Sequence, residues 1–164
     1  MTNRKQWLAF GLAAIIGLMT IEASAQQADK VAYPFGYRNW HHVKSMVLEQ
    51  GHPLANPFGG LHHVYANPKA QKGLKSGVYE DGAILVFDLF ETKVGGAAIE
   101  EGKRKLVGVM ERDAKRFAGT GGWGYEGFAG DSRGQRLTTD GGLSCFGCHA
   151  GQKDTAFVFS KARN

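Results

Sequence analysis

The sequence predicts an α+β fold, predominantly antiparallel β-sheet with short helices. Its apolar residues fall in short runs bounded by glycine, proline and Asx turn signals, which suits the strands of a meandering sheet. No stretch sustains 3.6-residue periodicity long enough for the helices of a four-helix bundle. The only two cysteines of the 164 residues, Cys145 and Cys148, lie together near the C-terminal end, so no disulfide framework organises the rest.

The chain opens with a basic stretch containing Arg4 and Lys5, continues through an apolar run from Leu8 to Ile21, and reaches Ala23, Ser24 and Ala25. A basic start, an apolar middle and a small-residue end predict a secretory signal peptide over residues 1–25, cleaved after Ala25. The run is shorter than the roughly 20 residues a spanning helix needs. Residues 26–164 then form a single domain, and no later segment is apolar enough for a bilayer, so no membrane contact is expected after cleavage. The net charge of +5 is that of a solvated basic surface, or one that attracts an acidic redox partner protein or anionic lipid. No nucleic acid is expected as a partner.

Residues 26–36 read as a loose lead-in that settles at Tyr33, Pro34 and Phe35. Tyr37 to Leu48 suits a helical stripe through Trp40, Val43 and Val47, or a strand with Trp40, His42, Met46 and Leu48 on one face; the strand is preferred. Gly51 to Gly60, with Pro53 and Pro57, reads as a loop. Leu61 to Ala66 is a short strand. Asn67 as N-cap, Pro68 at the first helical position and Gly77 as the stop predict a short helix.

Asp81-Gly82 introduces Ala83 to Phe90, the most buried strand. A long polar connection through Gly95-Gly96 leads to a strand over Lys105 to Arg112, with Val107 and Val109 facing away from Leu106 and Met110, and the two pair as a hairpin. Asp113 to Ala118 is one helical turn. Gly119 to Gly130, alternating glycine with Trp123, Tyr125 and Phe128, predicts a strand whose missing side chains permit close backbone approach; a flexible loop is the alternative. Asp131 to Gly142 is rich in turns, and Ala156 to Phe159 is expected as a final strand.

The stretch Cys145, Phe146, Gly147, Cys148, His149 carries the chemistry. Two thiols three positions apart can each add across a haem vinyl group, and the histidine that follows is placed to ligate the iron from one face. This predicts one covalently attached haem c held by Cys145, Cys148 and His149, with His149 the iron ligand. A disulfide, a thioredoxin-like redox pair or half a zinc site are the alternatives. Zinc needs more ligands at close spacing, and the redox pair needs a βαβ context that is absent. Covalent haem addition outside the cytoplasm agrees with the signal peptide, and both point to the periplasm. Lys153, Lys161 and Arg163 are near enough in sequence to be hydrogen-bond partners of His149.

The sixth iron position decides the function. Met46 or Met110 gives the Met/His pair of an electron carrier, although methionine commonly fills irregular core gaps. Any of His41, His42, His52, His62 and His63 gives a bis-histidine haem. No spacing selects among them, and an open distal face that binds small gases stands beside these readings.

Several segments then carry a resemblance: Gly36 to Trp40, Leu61 to Tyr65 followed by Asn67-Pro68, Asp81-Gly82 before an apolar strand, Arg112 to Phe117, and Cys145 to His149 followed by Ala156 to Ser160. Together they resemble the cytochrome P-460 family and, within it, cytochrome c′-beta. The resemblance implies an antiparallel β fold, a homodimer and a five-coordinate, high-spin haem c with an open distal site. In hydroxylamine-oxidising members a lysine on the strand after the Asp-Gly pair is cross-linked to the haem ring. Counting along this strand, Phe87 takes that place and cannot form the link. The resemblance implies instead a cap of two phenylalanines, Phe58 and Phe87, over a pocket that binds nitric oxide or carbon monoxide. Hydroxylamine oxidation and simple electron transfer are the rival functions.

Overall fold

Five strands run in chain order through one antiparallel sheet, β1 (His41–Leu48), β2 (Gly60–Ala66), β3 (Ile84–Gly95), β4 (Ala98–Arg112) and β5 (Trp123–Ala129), so β3 is central. Helix α1 (Pro68–Ser76) joins β2 to β3, and α2 (Leu143–His149) follows β5. The computed structural model describes residues 30–163. The signal peptide expected over residues 1–25 lies outside them.

Antiparallel partners project to the same face, so the register sorts the side chains into two sets. One face carries the rows Ala66, Leu85, Met110, Tyr125 and Val64, Phe87, Gly108, Gly127. With Ala70 of α1, Trp123 and Val158 it builds one core cluster, against which Phe87, Cys145 and Phe146 also pack. The other face carries Val86, Val107, Val109 and Phe128, covered by Val31, Tyr37 and Phe117. Burying a side chain the size of Leu89 or Phe128 stabilises the fold by about 1.5–3 kcal/mol.

The helix signals act as expected. Asn67 accepts the Ala70 amide at 2.8 Å, its Nδ2 donates to the Gly82 carbonyl, and the Ile84 amide donates back to its Oδ1. One side chain thus caps α1 and fixes the entry to β3. Gly77 ends α1 at φ 76°. In β5, a Cβ at Gly124 would come within 2.4 Å of the Phe117 ring, which is the close approach the glycine pattern implied.

Three expectations are corrected. The connection between β3 and β4 is not a long loop: both strands continue through the polar segment to a two-residue turn at Gly96 and Ala97, φ 57° and 59°. A ribbon exposed on both faces needs no apolar alternation, so its charged residues do not mark a loop. Within the expected loop 51–60, Ala55–Phe58 forms a helical turn and Gly60 already belongs to β2. Ala156 to Phe159 is not a strand. A 3₁₀ segment, Ala150–Thr155, runs straight on from α2, and Ala156 and Phe157 then adopt left-handed backbone at φ 53° and 67°.

A fully buried carboxylate ties the second face together. Asp88 accepts from Tyr37 Oη at 2.6 Å, from Arg38 Nη2 at 3.0 Å and from Arg104 Nε at 2.7 Å. Both guanidinium groups also lie over the Phe90 ring. Burial, then the Asp88 hydrogen bond, raises the Tyr37 phenol far above its usual range. On the same face Glu126 accepts from Thr138 Oγ1 at 2.6 Å, Arg136 Nη1 at 2.6 Å and the amides of Gly127 and Thr138. Burial alone would raise the Glu126 carboxyl, but those hydrogen bonds outweigh it and hold the group below its ordinary value.

Replacing Asp88 with alanine is expected to cost about 3 kcal/mol, because Arg104, only 15% exposed, loses its buried anion and keeps only the exposed Asp131, while Arg38 can turn to water; the shift of the urea midpoint measures it. The depressed Glu126 carboxyl contributes stability that is present above the ordinary carboxylate range and lost as pH falls through its folded value. Glu126→Gln is therefore expected to lower the thermal midpoint at neutral pH and to flatten its fall on acidification.

Candidate functional site

Helix α2 carries both cysteines and the histidine. Its first turn is anchored by Asp140, which accepts the amides of Gly142 at 3.0 Å and Ser144 at 2.9 Å. Positions i, i+3 and i+4 of a helix share one face, so Cys145, Cys148 and His149 project together. The two cysteines are free of any disulfide, Cys145 half-buried and Cys148 exposed. Burial, reinforced by the charges of Asp140 and Glu126, raises the Cys145 thiol above its usual value and keeps it protonated.

His149 is held by a single well-defined bond. Its Nδ1 lies 2.7 Å from the Phe157 carbonyl oxygen. A carbonyl can only accept, so Nδ1 carries the hydrogen and Nε2 keeps its lone pair. That is how metal-ligating histidines are usually oriented. The ring packs between Tyr125 and Phe159, each with its centroid 4.9 Å away. Burial lowers the imidazole's proton affinity and the Phe157 bond partly restores it, leaving the neutral, ligand-competent form. The left-handed turn at Ala156 and Phe157 is what presents that carbonyl. Lys153, Lys161 and Arg163, expected from sequence as candidate partners, do not fill the role; as cations they could only donate, not accept.

Phe58 and Phe87 meet edge to face, centroids 6.0 Å apart and planes at 88°. Phe87 sits at the middle of the first sheet face, opposite Val64 and Gly108. Phe58 reaches it because its turn is pinned. A register shift between β3 and β4 leaves Lys105 without a partner on β3, and its Nζ donates to the carbonyls of Pro57 at 3.0 Å and Gly59 at 2.7 Å. Such bulges re-aim a side chain. Gly60, at φ 129°, leaves no room for a Cβ, which would fall 2.1 Å from the Phe90 carbonyl oxygen.

The candidate sixth ligands are scattered. Met46, His41, His42 and His52 are exposed. His63 is engaged with Ser45 Oγ at 2.6 Å and Glu101 at 2.8 Å. Met110 is buried opposite Tyr125, the ring against which His149 packs, and so belongs with the proximal side. His62 alone is buried beside Phe87, with ring centroids 4.6 Å apart.

Two buried polar atoms among the described residues have no hydrogen-bond partner, the Tyr125 hydroxyl and His62 Nδ1, and both side chains lie on the first sheet face. Large apolar side chains close to α2, Leu143 and Phe159, are about half exposed. Apolar surface left uncovered around a thiol pair, an oriented imidazole and an orphaned phenol fits a flat, largely apolar group with a metal at its centre. The roles of Tyr125 and Lys105 were not read from the sequence. A glycine-flanked tyrosine in a strand was visible, but its contact with His149 joins residues far apart in the chain.

Among the described residues no helix is long and apolar enough to cross a membrane, and no cluster of three or more histidine, cysteine, aspartate or glutamate side chains could hold a separate metal ion. A search of curated proteins finds no match. The family model for cytochrome P460 matches residues 34–160, from Pro34 ahead of β1 to Ser160 beyond the histidine's carbonyl partner. That span takes in the whole sheet as well as α2, and the family implies a haem cofactor. The chain belongs to the cytochrome P460 family.

Proposed function

We propose that this chain is an exported, periplasmic monohaem c-type cytochrome that captures nitric oxide, and also binds carbon monoxide, as a scavenger or carrier. The observation that carries the reading is the edge-to-face pair Phe58 and Phe87 on the sheet face toward which Cys145 and Phe146 also pack. Cys145 and Cys148 would hold the macrocycle through thioethers, and His149 Nε2, freed by the Phe157 carbonyl, would bind the iron. When bound, the haem supplies an iron with one open coordination position. The chain's own contribution is to keep that position dry and apolar.

Two rings at right angles crowd out water and offer no hydrogen-bond donor. Bound dioxygen carries partial negative charge and relies on a donor, whereas nitric oxide and carbon monoxide give less polar adducts, so such a wall favours them. Phe87 stands on β3 where a cross-linking lysine belongs in the hydroxylamine-oxidising relatives, and a phenyl ring has no nucleophilic atom to form that bond. This argues for binding rather than turnover of hydroxylamine. A homodimer, and an acidic redox protein that keeps the iron ferrous, complete the proposal.

The ferrous holoprotein is expected to be five-coordinate and high-spin by absorption and resonance Raman spectroscopy, and to take up nitric oxide. A low-spin spectrum from a methionine or histidine of this chain would instead make it an electron carrier. Phe58→Ala is expected to speed carbon monoxide association in flash photolysis by roughly ten-fold, the equivalent of about 1.4 kcal/mol off the entry barrier. Unchanged rates would show that Phe58 is not part of the cap.

A further inference from the structure

His62 is out of keeping with its surroundings. In its row across the sheet it faces Met46, Leu89 and Leu106, and all of these but His62 are apolar. It is 2% exposed, and its Nδ1 has no hydrogen-bond partner among the described residues. A leucine at this point would leave nothing unsatisfied, so packing alone does not account for the imidazole. Its immediate neighbour is the Phe87 ring, 4.6 Å away and tilted by 40°, with Phe58 on Phe87 in turn at 6.0 Å. We propose that Phe87 screens His62 from the distal cavity, so that the cavity is apolar by exclusion and not for want of a polar group. The proposal rests on the gas-binding reading above and adds what sets its selectivity.

The chemistry of the pair follows from the ring positions. Burial, with the charges of Lys44 and His63, drives the His62 imidazole down to about 4, so at neutral pH it holds one N–H and one lone pair. The two would act in opposite ways on a guest at the iron. The N–H would steady an adduct whose outer atom is partly negative, above all dioxygen, and the lone pair would itself take the sixth coordination position. With the phenyl ring in place neither is offered. Phe87 is thereby the specificity-determining residue, and His62 is the group it holds back.

The test compares ferrous holoprotein of the wild type, Phe87→Ala, and the double variant Phe87→Ala with His62→Leu. In Phe87→Ala the unmasked imidazole is expected to lower the C–O stretch of the carbon monoxide adduct and slow gas loss about five-fold, the value of one net hydrogen bond, or to convert the gas-free iron to a low-spin form. The double variant is expected to abolish whichever change occurs. Identical spectra and rates for the single and double variants would overturn the proposal while leaving gas binding intact. A wild-type holoprotein that is low-spin and takes up no carbon monoxide would overturn both. His62→Leu alone, with Phe87 present, is expected to raise the thermal unfolding midpoint because it removes an orphaned polar atom. A lowered midpoint would mean the imidazole is structural and would also overturn the proposal.

Discussion

The register of β3 is the constraint on which both faces of this molecule depend. Consecutive residues of a strand point to opposite sides, and a slip of one residue exchanges the two sets. Phe87 and Asp88 are neighbours in sequence. One lies on the first sheet face opposite Val64 and Gly108, and the other is buried with Tyr37 and two arginines on the far side. A slipped strand would place a carboxylate where the ring stands and a phenyl group among the guanidinium ions. Because both errors are costly, the ion network on one face enforces the position of Phe87 on the other. Asn67 contributes to the same register by bonding the Ile84 amide while it caps α1.

The histidine end of the site is set by a different device. The α2 helix brings Cys145, Cys148 and His149 to one face by its own periodicity, but the imidazole's orientation comes from beyond the helix. Two consecutive non-glycine residues in left-handed backbone, Ala156 and Phe157, turn the chain so that a carbonyl meets Nδ1 at 2.7 Å. Such conformations persist only where surrounding structure over-determines them, and here the Phe157 ring packs on Phe146 of α2 itself. The helix that carries His149 also helps hold the turn that orients it.

The opposite end shows how an irregularity in the sheet can serve a site. The shift between β3 and β4 leaves Lys105 unpaired with β3, and its ammonium group ties down the Pro57 and Gly59 carbonyls on either side of Phe58. Phe58 lies outside the sheet, and its place over Phe87 comes from that tether together with the space left by Gly60. The protein thus uses its regular rows for Phe87, His62 and Tyr125 and a defect for Phe58.

Much of this was legible along the chain. Asn67, Pro68 and Gly77 marked α1, the Ala83 to Phe90 run marked the central strand, and the alternation of Val107 and Val109 with Leu106 and Met110 marked both faces of β4. The polar ribbon leading to Gly96 was not, because strands exposed on both sides carry no period-two signal. Nor was the turn after α2, where the apolar run Ala156 to Phe159 imitates a strand. The spacing of Cys145, Cys148 and His149 brings the three side chains together, since helical neighbours share a face in any fold. Tertiary structure alone decided that a carbonyl at Phe157 orients His149, that Lys105 holds the Phe58 turn, and that a buried imidazole lies against Phe87. Those contacts join residues that local periodicity does not relate, or depend on backbone atoms present at every position, and they exist only once the sheet has closed its register.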